Sequence, residues 1–290
     1  MRILMTGVTG FLGSHLARRW VSAGHQVIGI RRATSRMDRL GEIGAAIEWF
    51  TVNEEGAAPS IAFTGVEAIV HLAANYGRRG ETNAAIARSN TLFPVGLLDL
   101  AIRAKVPVFV HADTALPAEA NAYALAKSHF AAWGRQCAEG GSIQFLNLRL
   151  EHFYGPGDDE MKFTARVINA CRNHEPELRL STGEQERDFV HVSDVVEAFD
   201  IVLQERVRIH RGYMDIPVGS GETISIRQLV TLIHELTGSR TQLRFGAVEA
   251  DSRDLKYSRA DNTFLRALGW RPRIALREGL EQTICSPAFL

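Results

Sequence analysis

The feature that most constrains the fold is a glycine turn near the start of the chain. It spaces three glycines as G-x-x-G-x-x-G in the sequence Gly7-Val8-Thr9-Gly10-Phe11-Leu12-Gly13. Residues 2–6 are mostly β-capable, and residues 12–23 repeat apolar side chains at helical spacing. In such a strand–turn–helix unit, glycine lets the backbone approach a pyrophosphate, and the helix N-terminus supplies N–H groups and positive dipole. The pattern predicts a dinucleotide site at Gly7, Gly10, Phe11, Leu12 and Gly13. The alternative is a turn that needs its glycines only for tight packing.

The second predicted strand, over residues 25–30, ends in Arg31 and Arg32. NAD-binding units commonly carry an acidic residue there, which accepts hydrogen bonds from the ribose 2′-hydroxyl. Two guanidinium groups instead favour the 2′-phosphate of NADPH through charge-assisted hydrogen bonds. We therefore predict NADPH as the cofactor. The alternative is that these arginines only solvate a loop, since 29 of the 33 basic residues are arginine.

Strands and helices alternate along the first half of the chain. Further strands are predicted at 47–52, 67–72, 106–111 and 143–148, with helices at about 83–104 and 121–139. This alternation predicts an α/β fold with a doubly wound parallel Rossmann sheet. After the Gly155-Pro156-Gly157 turn the regularity weakens, and helices recur at 163–172, 192–206 and 226–236. We predict an NADP-binding Rossmann domain over 1–155, rejoined by about 189–212, and a smaller mixed C-terminal substrate lobe over 156–188 and 213–290.

Tyr123 and Lys127 stand four residues apart, on one face of a predicted helix. Five tyrosines and four lysines in 290 residues give about 0.07 such pairs by chance, so the spacing is informative. A neighbouring cation is expected to lower the pKa of the tyrosine and make its hydroxyl a proton donor for carbonyl reduction. Thr114 ends an apolar strand and presents a hydroxyl at the carboxyl edge of the sheet, where such folds bind ligands. Asp113 beside it is expected to cap backbone N–H groups.

Composition excludes several classes of protein. The 33 basic and 33 acidic side chains cancel, so neither nucleic acid nor an anionic membrane is an expected partner. The three cysteines lack C-x-x-C spacing, which fits a reducing compartment, and no histidine spacing resembles a metal ligand set. The apolar N-terminal run is too short for a signal peptide or a membrane span. These observations predict a cytoplasmic protein without a metal.

Six ordered motifs carry a resemblance to a known family. Besides the glycine turn and the Tyr123/Lys127 pair, they are His71-Leu72-Ala73-Ala74, residues 148–157, residues 187–194 and Leu268-Gly269-Trp270-Arg271-Pro272. Over its whole length the chain resembles the extended short-chain dehydrogenase/reductases, the group of nucleotide-sugar epimerases, dehydratases and reductases. The resemblance implies the Rossmann fold predicted above and a nucleotide-sugar substrate. It also implies a homodimer formed through the helices near 83–104 and 121–139.

The resemblance also implies roles for single residues. Tyr123 is the expected proton donor or acceptor, Lys127 tunes it and binds the nicotinamide ribose, and Thr114 hydrogen-bonds the reacting oxygen. The residues expected to line the cofactor after the fourth strand are Leu72, Ala73 and Ala74. On the substrate side, Arg187 is expected to bind the pyrophosphate. Arg253 stands where relatives carry a second such arginine, but without the usual Pro-Gly around it. His152 is expected either to hydrogen-bond the substrate phosphates or simply to pack.

The residues after Thr114 narrow the reaction. Ala115 and Leu116 replace the Asp and Glu of the dehydratases, and position 115 lacks the cysteine of enzymes that epimerise C3 and C5. Residues 88–94, 150–155 and 219–227, and the short Thr114–Tyr123 spacing, are similar to CDP-sugar 4-ketoreductases of the CDP-abequose and CDP-paratose synthase type. This similarity implies NADPH-dependent reduction of CDP-4-keto-3,6-dideoxy-D-glucose to a CDP-3,6-dideoxyhexose, a precursor of surface polysaccharide such as O-antigen. The alternatives are an NDP-sugar 4-epimerase with tightly bound NAD and a catalytically inactive dinucleotide-binding protein.

Overall fold

The computed structural model describes residues 1–53, 57–249 and 254–286. The strands in these ranges are β1 (Arg2–Thr6), β2 (Gln26–Arg31), β3 (Glu48–Thr51), β4 (Ala68–His71), β5 (Val108–Thr114), β6 (Gln144–Leu150), β7 (His152–Tyr154), β8 (Glu177–Leu180), β9 (Glu186–His191), β10 (Tyr213–Val218), β11 (Thr223–Ser225), β12 (Gln242–Phe245) and β13 (Tyr257–Ser258). The α-helices are α1 (Phe11–Ser22), α2 (Asn83–Ala87), α3 (Phe93–Arg103), α4 (Ala122–Glu139), α5 (Phe163–Arg172), α6 (Val192–Gln204), α7 (Ile226–Leu236), α8 (Thr263–Ala267) and α9 (Leu276–Cys285). The chain divides into two compact units, one of Met1–Leu150 and Phe199–Ile216, the other of Glu151–Ala198 and the chain from Pro217 onward.

The first unit contains a seven-stranded sheet in the order β10-β6-β5-β4-β1-β2-β3. Every register among β1 to β6 is parallel. The strand order reverses between β1 and β4, so the carboxyl ends of these two strands flank a topological switch point. The prediction of a doubly wound parallel Rossmann sheet is confirmed.

Aromatic side chains fill the core between α4 and this sheet. The rings of Phe109 and Phe145 stack with centroids 5.3 Å apart, and Phe130 of α4 meets both edge-on. Gly134 makes room for this arrangement, because a Cβ at that position would lie 2.3 Å from the Phe145 ring. Each buried aromatic side chain contributes roughly 1.5–3 kcal/mol of hydrophobic free energy. This packing fixes α4, which carries Tyr123 and Lys127, against β5, which carries Thr114.

The predicted helix over 83–104 is interrupted in the structure. A π-helical stretch, Arg88–Leu92, separates α2 from α3. Pro94 lacks a backbone N–H, so the carbonyl of Asn90 loses its α-helical partner, and a wider turn accommodates this loss. The buried Asn90 side chain bonds the backbone of Asn75 in a neighbouring loop. The predicted helical stretch at about 83–104 is therefore confirmed, and the π-helical turn within it was not predicted.

The second unit contains a mixed four-stranded sheet around β9. Strands β7 and β13 run parallel to β9, and β11 runs antiparallel to it. A separate parallel pair joins β8 to β12. Asp194 near the start of α6 accepts hydrogen bonds from the backbone of Arg273 and Ile274, and its carbonyl accepts one from the Trp270 indole. These bonds hold the later part of the chain to α6.

The boundaries of the units differ from those of the predicted domains by up to ten residues. Residues 152–154, predicted in the first domain, pair with β9 of the second unit. Residues 189–198 also belong to the second unit, because β9 and Asp194 are bonded within it. The return to the first unit runs over Phe199–Ile216 rather than 189–212. The roles of the two units in cofactor and substrate binding stay predictions.

Candidate cofactor and catalytic site

The glycine turn is shaped for close approach of its backbone. Gly7 has a φ of +69°, a left-handed conformation that favours glycine. A Cβ on Gly7 would lie 2.6 Å from the nitrogen of Ala73, and a Cβ on Gly13 would lie 2.0 Å from the carbonyl oxygen of Gly7. Gly10 is the N-cap of α1, and no side chain caps that helix. The first N–H groups of α1 could therefore serve an anionic ligand.

The carboxyl ends of β1 and β4 are joined by a residue that the sequence did not single out. Thr6 Oγ1 lies 2.7 Å from Nδ1 of the buried His71 and accepts hydrogen bonds from the N–H groups of Leu72 and Ala73, each at 3.3 Å. Thr6 thereby positions residues 72–74, the predicted cofactor-lining segment, at the switch point. The sequence contained one signal for this role, because Thr6 is a polar residue at the end of the otherwise apolar run Ile3–Met5.

At the carboxyl end of β2, Arg31 is half-buried and Arg32 is exposed. Arg31 Nε is buried and has no hydrogen-bond partner among the described residues. Its guanidinium carbon lies 5.4 Å from the centroid of the Trp49 ring. Two features of this site fit a dinucleotide cofactor. The glycine turn leaves space that side chains at Gly7 and Gly13 would fill, and the buried Arg31 Nε has no hydrogen-bond partner among the described residues.

Tyr123 and Lys127 lie in the first turns of α4, whose N-cap Asn121 accepts a hydrogen bond from the Ala124 N–H at 2.9 Å. The Lys127 side chain is 1% exposed, and its Nζ donates a hydrogen bond to the carbonyl of Ala112 at 2.6 Å. The same Nζ lies 5.9 Å from the centroid of the Tyr123 ring. The spacing thus brings the phenol and the ammonium group to one side of α4, against the end of β5.

The pKa of Tyr123 moves in the direction opposite to our prediction. Burial raises this pKa well above its usual value of 10, and Tyr76 and Asp113 add to the increase while Arg78 opposes it. Burial also lowers the pKa of Lys127 to about 8, and Asp113 counteracts that decrease. The prediction of a lowered tyrosine pKa was wrong because desolvation of the phenolate outweighs the attraction of the Arg78 guanidinium group.

Thr114 is the last residue of β5, at the carboxyl edge of the sheet as predicted. Its Oγ1 accepts a hydrogen bond from the Leu116 N–H at 3.2 Å. Asp113 is buried and accepts a hydrogen bond from the Asn147 side-chain amide at 2.9 Å. This bond to a side chain replaces the backbone capping that we expected for Asp113.

A second feature missed by the sequence reasoning is the loop after β4. Asn75 lies in this loop, and its backbone is bonded on both sides by the buried Asn90 amide. Next to Asn75, the ring centroid of Tyr76 lies 4.8 Å from the ring centroid of Tyr123. The buried Asn90 amide of the π-helical turn thus holds the loop that places Tyr76 beside the candidate catalytic tyrosine.

In the second unit, Arg187 is 3% exposed and forms an ion pair with Asp254 at 2.5 Å. It also donates a hydrogen bond to the carbonyl of Glu186. His152 of β7 pairs in register with Phe189, which lies two residues beyond Arg187 on β9. The side chain of His152 is 40% exposed. His152 and Arg187 are therefore close along neighbouring strands, whereas Arg253 lies outside the described residues.

Comparison with known proteins identifies the family. Residues 3–216 match the model of the NAD dependent epimerase/dehydratase family. The chain belongs to this family. Among curated members, it is 30% identical to CDP-abequose synthase from Salmonella typhimurium, over 97% of each chain. It is 29% identical to UDP-glucose 4-epimerase from Mycolicibacterium smegmatis, over 98% of this chain and 97% of that protein.

Solved structures of the family share this architecture over nearly the whole chain. UDP-glucose 4-epimerase from Thermotoga maritima superposes with a TM-score of 0.84 at 24% identity, covering 98% of this chain and 97% of that one, and supports the fold alone. MoeE5, solved with UDP-glucuronic acid and NAD, gives a TM-score of 0.84 at 26% identity and covers 98% of each chain. The resemblance to extended short-chain dehydrogenase/reductases is thereby confirmed.

As an epimerase/dehydratase family member, the chain is an enzyme of the kind that acts on nucleotide sugars. One of its segments, Asn83–Arg103, is long and apolar enough to cross a membrane by length and composition. We interpret it as a packed helix, because the side chains of Leu97, Leu98 and Ala101 are buried in the core of the first unit.

Proposed function

We propose that the protein is an NADPH-dependent nucleotide-sugar 4-ketoreductase. The substrate is CDP-4-keto-3,6-dideoxy-D-glucose, and the product is a CDP-3,6-dideoxyhexose for surface polysaccharide. The observation that carries the proposal is the similarity to CDP-abequose synthase over 97% of both chains. The arrangement of Tyr123, Lys127 and Thr114 at one edge of the sheet supports it.

The chemistry of this chain's residues suits proton delivery to the C4 oxygen. Bound NADPH supplies the hydride. Thr114 orients the carbonyl oxygen by hydrogen bonding, and Tyr123 protonates that oxygen as negative charge develops on it. The raised pKa of Tyr123 supports this assignment, because the phenol remains protonated near neutrality. Lys127 hydrogen-bonds the nicotinamide ribose and contributes positive charge beside the phenol.

The cofactor is held by the glycine turn, residues 72–74 and the end of β2. The N-terminus of α1 would hold the pyrophosphate of the cofactor, and Arg31 and Arg32 would hold its 2′-phosphate. On the substrate side, Arg187, His152 and Arg253 bind the pyrophosphate. Arg187 would exchange its ion pair with Asp254 for the substrate phosphate, because the pair now occupies its guanidinium group.

A homodimer and a cytoplasmic location belong to the same proposal. Three large apolar side chains on the predicted dimer helices are exposed, at 65% for Leu92, 44% for Leu125 and 49% for Trp133. A second copy of the chain would cover them, which removes apolar surface from water.

The second candidate function is an NDP-sugar 4-epimerase with tightly bound NAD. Likeness over 98% of the chain to UDP-glucose 4-epimerase from Mycolicibacterium smegmatis favours it. The absence of a carboxylate at the end of β2, where Arg31 and Arg32 stand, argues against it. A catalytically inactive dinucleotide-binding protein is disfavoured by the presence of all three candidate catalytic residues.

One experiment separates these functions. The purified protein is supplied with NADPH and CDP-4-keto-3,6-dideoxyglucose, and absorbance and NMR follow the cofactor and the sugar. The proposal predicts one NADPH consumed per sugar and a single C4 epimer. In a parallel assay with UDP-glucose and without NADPH, interconversion of the two C4 epimers of the sugar would establish the epimerase instead. Absence of reaction with this substrate and with other 4-ketosugar nucleotides would favour the inactive binding protein.

A further inference from the structure

Trp49 is held rigidly on the backbone of β2. Its indole N–H donates a hydrogen bond to the Gly44 carbonyl at 2.9 Å. Gly29 lies opposite it in the β2–β3 register, and a Cβ on Gly29 would lie 2.3 Å from the indole ring. The φ of Gly29 is not in the left-handed region. Glycine is therefore required here because a side chain would overlap the indole ring, and not because of the backbone conformation. The missing side chain lets the ring lie flat against the strand.

Arg31 lies two residues beyond Gly29, on the same face of the sheet. Its guanidinium group is placed over the Trp49 ring, with 5.4 Å between the guanidinium carbon and the ring centroid. This distance permits a cation–π attraction. Arg31 Nε is buried and has no hydrogen-bond partner among the described residues. A half-buried cation for which the described residues provide no ion-pair partner is suited to an anionic ligand.

Arg32 differs from Arg31 in this respect. Its backbone forms a turn with Ser35, whose Oγ accepts a hydrogen bond from the Arg32 N–H at 3.1 Å. Arg32 is exposed, and its guanidinium group contacts no aromatic ring among the described residues. Of the two arginines, Arg31 is therefore the one whose guanidinium group is oriented before a ligand binds.

We propose that Trp49 determines cofactor specificity by orienting Arg31 toward the 2′-phosphate of NADPH. This inference rests on the proposed NADPH dependence and deepens it. Trp49 is a positioning residue: it lies beneath the guanidinium group, restricts its orientations and lowers the entropy lost when the phosphate binds. NADH lacks the 2′-phosphate, so its binding gains nothing from this orientation.

The test compares dissociation constants of NADPH and NADH, measured by calorimetric titration, for the wild type, Trp49→Leu and Trp49→Phe. Trp49→Leu should weaken NADPH binding about fivefold and leave NADH binding within about twofold, because the lost contact between the ring and the guanidinium group affects only the 2′-phosphate. Trp49→Phe keeps an aromatic face and should retain most of the preference. Arg36→Gln is the matched control, since Arg36 is an exposed arginine nearby that pairs with Asp38. It should change neither constant by more than about twofold.

A double-substitution cycle isolates the coupling. In an Arg31→Gln background, Trp49→Leu should have no further effect on NADPH binding, because its partner has been removed. Equal losses for NADPH and NADH in Trp49→Leu, or an unchanged NADPH preference, would overturn the inference. A wild type without preference for NADPH would instead refute the cofactor choice of the proposed function. The two failures are thus distinguishable.

Discussion

The buried ammonium group of Lys127 should make the stability of the protein depend on pH in a way that can be isolated. Burial lowers the pKa of Lys127 from 10.5 to about 8. Between these two values the unfolded chain binds more protons at this site than the folded chain does. Stability therefore increases with pH across this window, as the cost of burying the charged form is removed.

The magnitude follows from the shift. One pKa unit corresponds to about 1.4 kcal/mol, so the full window corresponds to about 3 kcal/mol, of which about 2 kcal/mol falls between roughly pH 7 and 9.5. The perturbation is Lys127→Met, which keeps a linear side chain and removes the charge. The free energy of unfolding of the wild type, relative to that of Lys127→Met, should rise by this amount over that range.

The assay is urea unfolding without cofactor at a series of pH values, followed by circular dichroism. Contributions from tyrosines and cysteines are shared by both proteins and cancel in the difference. Lys105→Met, at an exposed lysine, is the control and should follow the wild type at every pH. Parallel curves for the wild type and Lys127→Met would refute the argument that the folded chain encloses a destabilised ammonium group.

Other predictions concern catalysis, packing and assembly. Tyr123→Phe should reduce turnover about a hundredfold or more while NADPH still binds, as measured by steady-state kinetics and titration; near-normal turnover would mean that another group protonates the product. Gly134→Ala should destabilise the protein by about 1–3 kcal/mol in urea unfolding, because the new methyl group would overlap the aromatic core. In Gly96→Ala the new methyl group meets open space, so this substitution should stabilise the protein by up to about 1 kcal/mol. Equal changes in the free energy of unfolding for Gly134→Ala and Gly96→Ala would contradict this distinction. Trp133→Glu should shift the mass measured by light scattering from dimer to monomer, whereas Val207→Glu, at another exposed residue, should not; a monomeric wild type would contradict the dimer.

The elements that the sequence predicted well are those with a local cause. The glycine turn and the helix after it depend on adjacent residues, and the four-residue spacing of Tyr123 and Lys127 needs only helical geometry to bring them together. Thr114 likewise ends its strand where the apolar run ends. Such features are visible in short windows of sequence.

The features that sequence reasoning missed depend on contacts between distant residues. Thr6 meets His71 across 65 positions, and Asn90 bonds a loop 15 residues earlier. The gap that admits Trp49 onto β2 exists because Gly29 lies opposite it in the sheet register. Each of these depends on the alignment of strands or on the path of a loop, which no local pattern specifies.

The error about Tyr123 has the same origin and bears on the direction of the reaction. Helical spacing showed that a cation lies near the phenol, but not how deeply both groups are buried. Burial favours the neutral form of each group, so the pKa of Tyr123 rises while that of Lys127 falls to about 8. Oxidation of an alcohol begins with loss of a proton, for which a phenolate is the better acceptor. Reduction ends with a proton delivered to the nascent alkoxide, for which a neutral phenol is the required donor. The environment of Tyr123 in the folded chain favours the protonated phenol, which is the form that the proposed reduction requires.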